Sequence, residues 1–200
     1  MYRAVTWAAL SNGTSIEDEA AVTALAERLR IDVTPPDVYD GRQYTVLADG
    51  VDVTWAIRTP AVDAHVSPVS AYPGVRRALV AQQRRVAAGG RVVMVGRDIG
   101  TVVLPGADLK LYLDATVEER ARRRWQEVRA RGEEADYEAV QASMRRRDDI
   151  DSNRDVAPLR VAGDAVVVDT TDLSIEEVLA EAERLIEEQG CPPASAALPA

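Results

Sequence analysis

A short apolar run ends in an arginine and an aspartate that stand side by side. Residues 91–95 predict a buried strand, and the glycine-bracketed sequence Gly96-Arg97-Asp98-Ile99-Gly100 follows directly. In an open parallel sheet, ligands bind at the edge formed by the carboxyl ends of the strands. A guanidinium at that edge can donate two hydrogen bonds to a phosphate, and the adjacent carboxylate can accept one from an exocyclic amine such as cytosine N4. The competing interpretation is a plain surface turn with an ion pair.

A second set of charged residues is predicted by helix geometry. One stripe advances by three or four residues at each step and comprises Tyr137, Val140, Met144, Arg147, Asp151 and Arg154. Residues at these spacings share one helix face, and the apolar half of the stripe should face the core. The charged half then faces the same way, and buried charges require partners, which a polar ligand pocket would supply. The alternatives are a solvated face and a metal-binding acidic cluster at 148–151, although an EF-hand loop requires a glycine where Arg154 stands.

Arginines also line the helix predicted from Val117 to Arg131. Three of them flank its apolar stripe, namely Arg120, Arg124 and Arg131. In a mobile lid, such arginines could clamp a transferring phosphoryl group. Glutamates on the same helix offer the alternative, which is ordinary surface salt bridges along the helix.

The composition favours a small phosphorylated ligand over nucleic acid. The net charge is −9, and residues 118–154 hold ten arginines and ten acidic residues, so that basic residues are concentrated there. Binding to a nucleic-acid backbone needs an extended basic surface, which an acidic protein of this kind lacks. One cysteine and one histidine argue against a disulfide, a cysteine cluster or a histidine-rich metal site, so we expect no protein-bound metal. No run of eighteen apolar residues occurs, and a cytoplasmic protein without membrane contact is expected.

The elements that would position these residues alternate between helical and strand-like patterns. Helices are predicted over 1–10, 17–30, 73–88, 117–131, 137–154 and 174–188, and buried strands over 91–95, 109–113 and 165–168. A hairpin is predicted around Ala48-Asp49-Gly50, within a small inserted subdomain that spans about 31–68. The pattern indicates an α/β, doubly wound architecture in one domain over 1–189, with a lid at about 120–150. The Pro/Ala-rich segment 190–200 is predicted to be a disordered tail.

Taken together and in order, these motifs resemble bacterial cytidylate kinases. The resemblance runs from Met1 to about Glu188, and five motifs carry it. They are Met-Tyr-Arg at 1–3, Asp-Val-Thr-Trp-Ala-Ile-Arg-Thr at 52–59, Tyr-Pro-Gly-Val-Arg at 72–76, Gly-Arg-Asp-Ile-Gly-Thr-Val-Val at 96–103 and Arg-Asp-Asp-Ile-Asp-Ser-Asn-Arg at 147–154. The resemblance implies a P-loop-kinase-like parallel sheet with helices on both faces, a small insert that binds the nucleoside monophosphate, and a helical lid. It further implies transfer of a phosphoryl group from ATP, with Mg²⁺, to CMP or dCMP in pyrimidine nucleotide metabolism. A monomer that acts on these small molecules is expected.

The resemblance also assigns roles to individual residues. The CMP phosphate would be held by Arg3 and Arg97, with Tyr2 close to the same site. The cytosine would be read by Ser67, Arg76 and Asp98. The sugar and phosphates would contact Arg147, Asp151 and Arg154. The lid would contribute Arg120 and Arg124 as the catalytic arginines. An adenylate-kinase-like enzyme with another acceptor base is the weaker alternative.

The donor side of the site departs from the family pattern. Kinases of this family carry a glycine-rich GxxxxGK[ST] loop, whose amides and lysine hold the donor phosphates. Residues 1–200 contain no such motif, and their one lysine, Lys110, lies in the strand predicted at 109–113. The first central strand and the P-loop are therefore expected to be absent, Met1 is interpreted as an internal methionine of a longer parent protein, and this chain is expected to be severely impaired as a kinase. The alternative is a non-catalytic paralogue that binds nucleotide without phosphorylating it.

Overall fold

The computed structural model describes residues 1–154 and 156–190, which divide into two compact units. The first unit contains residues 1–96 and 150–158, and the second contains the rest. The division differs from the predicted domain scheme of one body with an insert at 31–68 and a lid at 120–150, which stays a prediction. The predicted tail lies, apart from Gly190, outside the described residues.

Two helices open the first unit as the apolar spacing predicts. Helix α1 spans Tyr2–Ser11 and buries Ala4, Val5, Ala8 and Ala9. Helix α2 spans Glu19–Arg28 and begins at Asp18, whose side chain accepts a hydrogen bond of 2.9 Å from the backbone N–H of Ala21. This cap satisfies one of the amides that a helix start leaves without an intrahelical partner.

A small antiparallel sheet follows, and it confirms the predicted hairpin. Its strands are β1 (Ile31–Thr34), β2 (Thr45–Ala48) and β3 (Val51–Asp52), in the order β1-β2-β3. Asp49 and Gly50 both adopt positive φ, 49° and 80°. A two-residue turn with positive φ at both positions matches the twist of a hairpin, which explains the Asp-Gly pair.

Two further helices complete the first unit, and only the second of them was predicted. Helix α3 spans Pro60–Ala71 and α4 spans Pro73–Ala87. Pro68 lies inside α3, and an internal proline argues against a helix in sequence reasoning because it removes a backbone hydrogen bond. The start of α3 nevertheless carried a signal, since proline at the first helical position follows Thr59.

The second unit contains a parallel pair of strands, which confirms the α/β class. Strands β4 (Leu111–Asp114) and β5 (Val166–Asp169) pair in parallel register from Leu111↔Val166 to Asp114↔Asp169. Its helices are α5 (Val117–Ala130), α7 (Ile175–Glu188) and most of α6 (Tyr137–Asn153), whose last four residues belong to the first unit. The described part of this sheet has two strands, so a wider doubly wound sheet stays a prediction.

The strand predicted at residues 91–95 is wrong. This segment forms no strand, and Val93 and Val95 are 88% and 93% exposed. A strand exists only where a neighbouring strand completes its backbone hydrogen bonds, and no described strand pairs with this one. The Arg-Asp pair therefore follows a largely exposed segment without regular secondary structure, and a single wide helical turn, Ile99–Val103, comes after it.

Helix α7 allows a test of local stability. Ser174 accepts a hydrogen bond of 3.2 Å from the Glu177 N–H, and the Ser174 N–H donates one of 2.8 Å to the Glu177 carboxylate. We expect Ser174→Ala to lower the free energy of unfolding by about 1 kcal/mol, because the reciprocal cap is lost. Urea denaturation followed by circular dichroism measures the change. Ser143→Ala, at an exposed position inside α6, is the matched control, and equal losses in the two variants would contradict the expectation.

Candidate active site

Arg3 is held in a defined orientation by neighbours in the first unit. One terminal nitrogen donates to the carbonyl oxygen of Ile57 at 3.0 Å, and the other lies 2.5 Å from a carboxylate oxygen of Asp63. The Arg3 side chain is 29% exposed, so it also faces solvent. Sequence reasoning missed Asp63, because its partner is far away in the sequence and α3 was not predicted. An arginine anchored in this way is suited to a phosphate contact.

Tyr2 and Arg76 are brought together in the same unit. The Arg76 guanidinium carbon lies 5.5 Å from the centre of the Tyr2 ring, and Nη1 donates to the Ser70 carbonyl oxygen at 3.1 Å. Arg76 is only 3% exposed. Ser67 is also buried, and its carbonyl oxygen accepts a hydrogen bond of 2.9 Å from the Ser70 hydroxyl. A buried guanidinium that is supported by an aromatic face and a carbonyl has a fixed position for recognising a ligand.

Asp151 and Arg154 form a buried ion pair near the end of α6. Their side chains are 4% and 7% exposed, with 3.2 Å between Asp151 Oδ1 and Arg154 Nη1. Arg154 Nε also donates to the Ala157 carbonyl oxygen at 2.7 Å. The prediction that these charges face inward is confirmed for the pair. The partners include each other and a backbone carbonyl, so a role in ligand binding stays a prediction.

In the second unit, Asp148 joins two of the predicted arginines. Its Oδ1 lies 3.0 Å from Nη1 of Arg97, and its Oδ2 lies 2.8 Å from Nη1 of Arg120. Arg120 Nε also donates to the Ala115 carbonyl oxygen at 3.0 Å. Sequence reasoning did not single out Asp148 by itself. The signal was present, because Asp148 lies four residues after Met144, on the face of α6 that was predicted to point inward.

Asp98 lies beside Arg97 and is 5% exposed. Its carbonyl oxygen accepts hydrogen bonds of 2.9 and 3.3 Å from the N–H groups of Val102 and Val103, which closes the turn that follows. This turn packs on Lys110, since a Cβ placed on Gly100 would lie 3.2 Å from Lys110 Cδ. The Lys110 side chain therefore supports the turn, and the turn fixes the backbone at Asp98.

Lys110 is buried immediately before β4 rather than inside it. Its Nζ donates to both carboxylate oxygens of Asp164, at 2.6 and 2.8 Å, and to the Pro105 carbonyl oxygen at 2.5 Å. The hydrogen bond from Lys110 lowers the pKa of Asp164, so this carboxylate stays ionised. The lysine is thus committed to a structural contact.

The remaining predicted arginines lie on α5 and α6. Arg124 forms an ion pair with Glu127 at 2.9 Å, the surface pairing that was the alternative to a lid role. Arg147 is half-buried on α6. A ligand role stays a prediction for both residues.

A cleft of about 350 Å³ opens beside α5, and none of the predicted site residues lines it. Trp125 and Tyr137 meet there edge to face, with ring centres 6.5 Å apart. A hydrogen bond from Arg122 lowers the pKa of Glu119, another residue of the wall, to about 2. Within the described residues, no group of three or more histidine, cysteine or acidic side chains could hold a metal ion.

Fold and site together define an α/β protein with ordered arginines and carboxylates suited to a phosphorylated ligand. The chain belongs to the cytidylate kinase family, a family of phosphotransferases, because the family model described as cytidylate kinase matches residues 1–188. It is therefore an enzyme of the kinase class, and the family resemblance is confirmed. None of its described helices has the length and apolar character required to span a bilayer.

Curated relatives agree with this assignment. The cytidylate kinase of Chloroflexus aggregans is 50% identical over 180 residues, which cover 90% of this chain and 76% of the relative. That of Carboxydothermus hydrogenoformans is 48% identical over 186 residues, which cover 93% and 82% of the two chains. That of Bacillus licheniformis is 46% identical over 187 residues, which cover 94% and 80%.

Proposed function

We propose that the protein transfers the γ-phosphoryl group of ATP to CMP or dCMP, giving CDP or dCDP. The observation that carries this proposal is the arrangement of two adjacent residues, Arg97 and Asp98. Arg97 is anchored by Asp148, while Asp98 is buried at the start of a closed turn. One residue offers a fixed guanidinium to the acceptor phosphate, and the other offers a carboxylate to the amine of cytosine.

The remaining residues are proposed to complete the acceptor site and the lid. The acceptor site would comprise Tyr2, Arg3, Ser67, Arg76, Arg97, Asp98, Arg147, Asp151 and Arg154. Arg120 and Arg124 would stabilise the charge on the transferring phosphoryl group. Phosphoryl transfer needs little covalent participation from a protein, so positioning and charge stabilisation by arginines account for the chemistry. The proposed fold is P-loop-kinase-like, with the insert at about 31–68 and the lid at about 120–150, in a cytoplasmic monomer.

Mg²⁺ is proposed to enter with ATP, because the described residues do not fit a metal site of their own. Within those residues, no group of three or more histidine, cysteine or acidic side chains could hold the ion.

Nucleotide binding tests the proposal. Calorimetric titration with CMP, dCMP, UMP and AMP should show saturable binding with preference for the cytosine nucleotides. Asp98→Asn should weaken CMP binding about tenfold and reduce the preference over UMP, because a charged acceptor for the cytosine amine is lost. Asp108→Asn, at an exposed position ten residues away, is the control and should bind like the unmodified protein.

Unchanged CMP affinity in Asp98→Asn would contradict the assignment of the cytosine pocket. Formation of ADP from ATP in the presence of Mg²⁺ and CMP then measures turnover. The same assay addresses the sequence-based expectation that residues 1–200 are impaired, and saturable CMP binding without ADP formation would favour the non-catalytic alternative.

A further inference from the structure

We propose that Asp148 is a positioning residue that holds Arg97 and Arg120 ready for one phosphate-bearing ligand. The proposal rests on the proposed function, because that function makes both arginines contact phosphate. Nothing in the family resemblance singled out Asp148. The inference comes from its two contacts, in which each carboxylate oxygen engages a different arginine, at 3.0 and 2.8 Å.

The contacts of Arg120 fix its orientation but do not use all of its hydrogen-bond donors. Its Nε and Nη1 donate to Ala115 and Asp148, and its Nη2 meets no acceptor in the part of the chain that the structure describes. Two of the three nitrogens of the guanidinium fork are thus fixed, and the plane of the third is fixed with them. A planar group held in this way presents Nη2 to a ligand without the loss of conformational freedom that a mobile side chain would suffer.

The cluster is accessible to a ligand. The side chains of Arg97, Arg120 and Asp148 are 32%, 35% and 26% exposed. A fully buried carboxylate between the arginines would have been a structural ion pair, whereas the side chain of Asp148 is partly exposed to solvent.

Two effects of Asp148 oppose each other, and we expect positioning to dominate. Its negative charge repels a phosphate, but solvent screens that repulsion at a partly exposed site. Without the carboxylate, the two guanidinium groups repel each other and both long side chains regain their freedom. Ordering each again on binding reduces affinity severalfold, so the combined loss is expected to be about tenfold.

Comparison of CMP with cytidine isolates the effect on phosphate. Asp148→Ala should weaken CMP binding about tenfold and change cytidine binding less than twofold, because cytidine has no phosphate. Asp148→Asn keeps an acceptor oxygen and should show a smaller loss. Glu138→Gln removes one negative charge from an exposed position of the same helix and should leave both affinities unchanged. A general disturbance of folding would move CMP and cytidine together, so the affinity ratio separates positioning from a merely structural role.

A double-mutant cycle completes the test. Arg97→Gln should weaken CMP binding in the unmodified protein and have less effect when Asp148 is already alanine, because Asp148 holds Arg97 in position. An unchanged ratio of CMP to cytidine affinity in Asp148→Ala would overturn the inference. Tighter CMP binding would also overturn it, since Asp148 would then compete with phosphate. Failure of the unmodified protein to bind CMP would instead count against the proposed function.

Discussion

Replacing Asp151 with alanine is expected to lower the free energy of unfolding by about 3–5 kcal/mol. The carboxylate is 4% exposed and lies 3.2 Å from Arg154, whose side chain is 7% exposed. Removing one partner of a buried ion pair is strongly destabilising, because the remaining buried charge loses the opposite charge beside it. Urea denaturation of the two proteins, followed by circular dichroism, measures the difference.

The control for this prediction removes both charges. The double variant Asp151→Leu with Arg154→Met should recover most of the lost stability, because apolar side chains of similar volume do not require counter-ions. It should not bind CMP normally, since both residues are proposed to contact the ligand. A loss of less than 1 kcal/mol in Asp151→Ala would show that other groups or water compensate Arg154.

Gly74→Ala is expected to cost about 3 kcal/mol, although it adds a single methyl group. Gly74 lies in the second position of α4, where that helix packs against α2. A Cβ at this position would lie 2.5 Å from Thr23 Oγ1 and closer still to Thr23 Cγ2. Contacts this short require the Thr23 side chain or the helices to shift, and overpacking of this kind costs about 1–3 kcal/mol or somewhat more. Thermal and urea denaturation should both report the loss.

Thr23→Ala supplies the partner variant for Gly74→Ala. It removes the two closest atoms, so the double variant should be more stable than Gly74→Ala alone. Gly106→Ala is the matched control, because an added Cβ there meets nothing within 4 Å and the backbone angle is ordinary. Equal effects of the two glycine substitutions would refute the packing argument.

Local patterns were sufficient to predict most helices and the hairpin. The cap at Ser174, the Asp-Gly turn at residues 49–50 and the helical spacing of α1 each depend on residues close in sequence. Segment 91–95 shows the limit of such patterns. An apolar run is compatible with a strand, but the strand forms only if a distant strand pairs with it.

The residues of the candidate site also differ in whether local sequence could predict them. Arg97, Asp98, Asp151 and Arg154 could be predicted from motif order and from the face of one helix. Asp63 and Asp148 were missed, because their importance lies in contacts with arginines 60 and 51 residues away, Arg3 and Arg97. The sequence around a carboxylate does not identify the distant arginine with which it pairs. That relation exists only after folding.

The contact between Lys110 and the turn that follows Asp98 provides a natural site for measuring how often this turn opens. Lys110 is the only lysine in the chain and is 9% exposed, with its amine held by Asp164 and Pro105. An amine-specific reagent therefore has one side-chain target, and it can react there only when the turn on Gly100 and the ion pair open. Mass spectrometry measures the rate of labelling at this one position, with and without nucleotide. That rate would report how often the loop that carries Arg97 and Asp98 separates from Lys110.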